Sequence, residues 1–131
     1  MRHGSLVAFA AGIVWFAPTA QAQTRVDFAG KTVTIISSFG PGGGYTIYAE
    51  LVARHLGAHL PGRPTVIVKT MPGAGGLNGT SFLYNVAARD GSVLGVVPHT
   101  VAIAQALRKP SLRYDVRAFN WIGRVNSNVE V

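Results

Sequence analysis

The sequence holds no cysteine and only five acidic residues in 131. The first absence excludes disulfides, thiolate metal sites and a cysteine nucleophile. The second leaves little acid–base chemistry. Asp27, Glu50, Asp90, Asp115 and Glu130 are far apart in sequence, so no carboxylate pair is indicated. Long apolar stretches are also missing. The longest, residues 6–17, is too short to span a bilayer. Finally, no block of basic residues and no nucleic-acid-binding motif occurs, although the net charge is +7.

The opening 22 residues have a plan of their own. Arg2 and His3 precede the apolar run, and Ala20-Gln21-Ala22 follows it. That is the layout of a secretory signal peptide, with cleavage expected between Ala22 and Gln23 and a periplasmic product. The competing reading is a buried amino-terminal helix. Removal of residues 1–22 leaves 11 basic against 5 acidic residues, a net charge of +6. The basic residues are scattered, which fits a solvated surface that favours small anions in general and marks no nucleic-acid partner.

Along the remainder, apolar patterning alternates between strand and helix periods. Residues 31–39, "KTVTIISSF", read as a strand, and residues 45–60 as a helix with Tyr48, Leu51, Val52, His55, Leu56 and His59 on its inner face. Residues 65–71 read as a second strand and 77–88 as a second helix, with Phe82, Leu83, Val86 and Ala87 inward. A third strand ends at Val97, a short helix covers 101–107, and "FNWIGRV", residues 119–125, reads as a fourth strand. This order predicts an α/β fold of parallel βαβ units.

Glycine-rich loops stand where two of these strands give way to helices: Gly40-Pro41-Gly42-Gly43-Gly44 and Pro72-Gly73-Ala74-Gly75-Gly76. Glycines admit close backbone approach, and a helix start offers unpaired N–H donors and partial positive charge. In parallel sheets ligands sit beyond the carboxyl ends of the strands. Either loop alone reads equally as a tight structural turn, but two of them predict a cradle for a carboxylate or phosphate. Spacing excludes a Walker loop, because no Lys-Ser or Lys-Thr follows either one. A dinucleotide fingerprint fails too: its last position is Tyr45, Ile47 or Asn78, depending on the glycine it is counted from. No cofactor is implied. His99 follows the third strand and is placed to reach the same edge, a loop or capping role being the alternative. His55 and His59 are four apart, but Leu56 stands where a metalloprotease has Glu. With no third ligand in view they read as partly exposed structural histidines, and no metal is expected. Ser37 and Ser38 lack a nucleophile-elbow motif and an identifiable base.

The motifs "GPGGGY", "PGRPTVIV", "MPGAGG" and "YNVAARDGSVLG", in this order, resemble the solute receptors of tripartite tricarboxylate transporters, the Bug-type periplasmic binding proteins. "YDVRAFNWIGRV" resembles the family's next stretch. The resemblance spans residues 31–125. It implies a non-enzymatic, two-lobe α/β clamp that closes on a small carboxylate and hands it to the membrane components of a transporter. It assigns ligand contacts to Gly42, Gly43, Gly44 and Tyr45, and to Gly73, Ala74, Gly75 and Gly76, largely through backbone N–H groups. Thr46 stands where the family usually has Asp. A two-lobed chain runs to about 300 residues, so residues 23–131 are expected to be an incomplete amino-terminal lobe, whether truncated product, fragment or remnant. The rival expectations are a small α/β enzyme using the loops as an anion hole, and a chain without function.

Overall fold

The computed structural model describes residues 26–110 and 112–127. The expected leader and its cleavage site lie outside the described residues. Three strands, β1 (Thr32–Ser37), β2 (Thr65–Thr70) and β3 (Val93–Val96), alternate with three helices, α1 (Gly44–His59), α2 (Leu77–Asn85) and α3 (Thr100–Ala106). A 3-10 turn, Ala74–Gly76, leads into α2, and another, Val116–Ala118, follows α3. The strands form one parallel sheet in the order β2-β1-β3, as the βαβ reading requires. Ser37 at the end of β1 is level with Thr70 of β2 and Val96 of β3.

The central strand is the most apolar and the most covered. Val33, Ile35 and Ile36 are buried, and their β-branched side chains suit a strand covered on both faces. The crossover from β1 to β2 moves one way across the sheet, and that from β2 to β3 moves the other way over β1. Right-handed crossovers then put α1 and α2 on opposite faces. Adjacent serines confirm this by strand alternation: Ser37 Oγ meets Thr46 of α1, whereas Ser38 lies beneath Gly79 of α2.

The inner face of α1 is rotated from the expected one. Thr46 and Ala49 are buried, and Val52, Ala53, Leu56 and Gly57 are half-buried. Leu51, His55 and His59 face solvent instead. Close approach explains the shift. A Cβ at Gly57 would lie 2.7 Å from the Pro64 carbonyl oxygen and 3.4 Å from Val66 Cγ2. Small residues at 49, 53 and 57 let the helix settle on the sheet, and bulkier ones move to its flanks.

Two further expectations are corrected. Helix α2 ends at Asn85, and Val86 is exposed. The Asn85 side-chain amide donates to the carbonyls of Ser81 (2.8 Å) and Arg113 (2.7 Å), which ties the helix end to the chain after α3. Residues 119–125 form no strand. Their aromatic residues pack on α2 rather than pairing with a strand. Phe119 meets Tyr84 edge-on at 5.8 Å and Trp121 at 5.7 Å, and Trp121 Nε1 donates to the Val116 carbonyl. The segment reaches α1 at its end, where Asn126 Nδ2 donates to the Tyr48 hydroxyl at 2.8 Å. Tyr48, expected in the core, is half-buried at this contact. Among the described residues, no helix is long and apolar enough to cross a membrane.

Candidate functional site

Parallel pairing brings three chain exits to one edge of the sheet: residues 38–43 after β1, 71–76 after β2 and 97–99 after β3. With the order 2-1-3, a crevice is expected at this edge, near β1 and β3. Both glycine loops therefore occupy the edge the sequence pointed to.

The first loop is held by a hydroxyl pair. Thr46 Oγ1 lies 2.8 Å from Ser37 Oγ, 2.8 Å from the Gly40 carbonyl oxygen and 3.1 Å from that of Phe39. Thr46 is 1% exposed and Ser37 0%. The Thr46 side chain is thus committed to the loop and closed off from a ligand. It acts on the site by fixing the carbonyls of residues 39 and 40 on the protein side. Tyr45 is also occupied, with its ring stacked on Phe39 at 4.7 Å. Gly43 is the cap residue of α1, in extended conformation, and no side chain caps this helix start. The N–H groups of Thr46 and Ile47 turn back to the Gly43 carbonyl. The Gly43 N–H donates to the Gly40 carbonyl at 3.3 Å, so Gly44 and Tyr45, with Gly42 before them, supply the donors of the first turn.

The second loop is built from left-handed backbone. Gly73, Ala74, Gly75 and Gly76 have φ of 124°, 49°, 64° and 93°. Ala74 is the one L-residue of the four, and it holds a conformation that costs such residues about 1–2 kcal/mol. Gly76 caps α2, again without a side-chain cap. It is buried, and a Cβ there would fall 2.7 Å from Pro98 Cγ. That contact locks the second loop against the exit of β3. His99, the next residue, is exposed and immediately precedes α3 at this same edge.

Ser38 is the residue that sequence reasoning left without a role. It is 0% exposed, and among the described residues its hydroxyl has no hydrogen-bond partner. A Cβ at Gly79 would sit 2.8 Å from Ser38 Oγ, and one at Gly76 3.4 Å from Ser38 Cβ. The first turn of α2 thus rests directly on this serine. The signal in the sequence was the polar pair Ser37-Ser38 closing an otherwise apolar strand.

Charge is distributed unevenly about the sheet. Asp90 precedes β3, and Asp27 lies beside Pro61 and Gly62, just ahead of β2, so both sit at the amino edge. Asp115 belongs to the far end of α3, where its carboxylate accepts from Gln105 Nε2 at 2.9 Å. The Arg117 and Gln105 hydrogen bonds hold the Asp115 carboxyl well below the usual carboxylate range. The Ser92 hydroxyl and N–H lower that of Asp90. Of the described acids, only Glu50, exposed in the second turn of α1, is near the glycine-loop edge. The partial positive charges of two helix starts are therefore little opposed there.

Ser37 is engaged with Thr46, Ser38 is enclosed, and among the described residues no histidine or carboxylate hydrogen-bonds to either. No group of three or more His, Asp or Glu that could hold a metal ion occurs among the described residues. Compared with family models, curated proteins and solved structures, the chain matches none.

Proposed function

We propose that this chain is a binding protein for a small carboxylate, one α/β lobe of a receptor that serves a membrane transporter of the tripartite tricarboxylate type. One observation carries the binding reading. Helices α1 and α2 both begin without a side-chain cap, behind glycine loops, at the sheet edge away from Asp27, Asp90 and Asp115. The resemblance of "GPGGGY" and "MPGAGG" to the solute receptors supports the rest, and the signal-peptide layout supports an extracytoplasmic site of action.

In this reading the carboxylate accepts hydrogen bonds from the backbone N–H groups of Gly42, Gly44 and Tyr45 and of Ala74, Gly75 and Asn78, since those of Gly43, Gly76 and Leu77 already donate within the loops. The two helix dipoles favour its charge. A second lobe then closes over the exposed side, and ligand contacts made only in the closed form shift the population toward it. A single lobe leaves one face of the ligand in water. Each N–H bond then contributes about 0.5–1.5 kcal/mol net, and a few of them must offset the cost of immobilising the ligand. Binding to this chain alone is expected near millimolar, about −4 kcal/mol.

The test is an amide-resolved NMR titration with succinate, citrate and benzoate. Shifts concentrated in residues 42–46 and 74–78, saturating in the millimolar range, are expected. Saturating shifts elsewhere, or none at these two loops with any of the three, reject the proposal.

A further inference from the structure

The cradle uses the first turn of α1. The other end of the same helix carries different chemistry. His55 and His59 are both exposed. Four residues of helix separate them by about 6 Å along the axis and about 40° around it, so their Cβ atoms stand about 5–6 Å apart. Both side chains lean toward the helix start, which keeps the two imidazoles on one stretch of helix surface. Metal–nitrogen bonds of about 2.0–2.1 Å need the two ring nitrogens to converge, which side-chain rotation achieves with the backbone unmoved.

The surroundings leave these nitrogens available. Among the described residues, neither imidazole makes a hydrogen bond or ion pair. Their neighbours on the helix, Leu51 and Ala58, are exposed and uncharged, and Asp27 lines the same depression as His59. Arg54 is offset from His55 by about 100° around the helix. His59 lies in the last turn, where the helix dipole is negative and favours a cation.

We propose that His55 and His59 form a two-nitrogen surface site for a divalent transition metal, with water completing the coordination. Two imidazole donors favour copper, nickel and zinc over calcium or magnesium, and copper(II) heads the affinity order. The site is open and exchangeable, unlike a structural zinc centre, because no third protein ligand joins it. It lies at the opposite end of α1 from the cradle and is independent of the carboxylate reading.

Copper(II) is titrated into the full chain in a His3→Gln background, which removes any chelate formed by a histidine third from the amino terminus. Paramagnetic broadening is followed residue by residue, with zinc as a diamagnetic competitor. Saturable broadening should appear first at residues 52–60 and be reversed by zinc. His55→Gln and His59→Gln should each weaken binding about 10-fold or more, at least the effect of losing a partner one shell further out. Both positions are exposed, and circular dichroism checks that α1 is intact in each variant. Broadening centred elsewhere, or a single variant that binds like the parent, overturns the proposal.

Discussion

Replacing Thr46 by valine removes one hydroxyl and little else, because the two side chains have nearly the same shape. In the structure that hydroxyl touches Ser37 Oγ, Gly40 O and Phe39 O while buried. Loss of two hydrogen bonds at about 0.5–1.5 kcal/mol each sets a lower bound. Ser37 Oγ is then left with the Phe39 backbone alone, at 3.4 Å to its oxygen and 3.4 Å to its nitrogen, both long for hydrogen bonds. An under-satisfied buried hydroxyl costs about 1–3 kcal/mol. Together these predict a destabilisation of about 2–6 kcal/mol. In urea, with a slope of about 1–3 kcal/mol/M for a small domain, the midpoint should fall by about 1 M or more. Removing both partners, Ser37→Ala with Thr46→Val, should cost less than the sum of the single changes, since neither leaves an orphan. Urea unfolding followed by circular dichroism measures all three. A Thr46→Val midpoint within error of the parent, or strictly additive costs, would refute the hydroxyl pair as the fastener of the first loop.

Gly76→Ala should destabilise by about 2–4 kcal/mol, because it adds left-handed strain to a collision with Pro98. Gly40→Ala, where a Cβ meets nothing within 4 Å, should stay within about 0.5 kcal/mol; thermal unfolding compares the two. The lowered Asp115 carboxyl contributes stability that is present above the unfolded aspartate value, about 3.9, and lost as pH falls below it. Asp115→Asn should remove that part of the acid limb in a pH-dependent unfolding series. Burial raises Tyr114, whose hydroxyl donates to the Val101 carbonyl at 3.0 Å. Its contribution is complete below the unfolded tyrosine value, about 10, and lost as pH rises past it, so Tyr114→Phe should flatten the alkaline limb.

The parallel sheet and its glycine loops were legible because strand and helix periods are local, and because glycine runs between them have few other uses. The inner face of α1 was not. Its pattern names the apolar residues, but the distance to the sheet is set by Gly57 against Pro64, a contact between separate elements. Leu51 thus looked inward by period and points outward by packing. The reading of 119–125 as a strand failed for a related reason. Aromatic and β-branched residues suit a strand but equally suit an aromatic cluster, and Tyr84 supplied the partner. Within the candidate site, the positions of the loops followed from the sequence. The enclosure of Thr46 and the orphaned hydroxyl of Ser38 did not, because both depend on which strand face each helix covers.

Among the described residues the sheet has three strands, and β2 and β3 border it, each with one row of backbone groups outside the ladder. Such borders are templates on which another chain can add a strand. Each is blunted differently. The β2 border begins directly after Pro64 and carries exposed Lys69, so an incoming strand would have to desolvate a charge. The β3 border is four residues long and contains exposed Gly95, which offers a neighbour little length and no side chain to grip at that position. Both borders are thereby guarded against accretion. A lysine-to-valine change at 69 would trade that guard for a longer apolar margin, and with it the tendency of the chain to remain apart from its own copies.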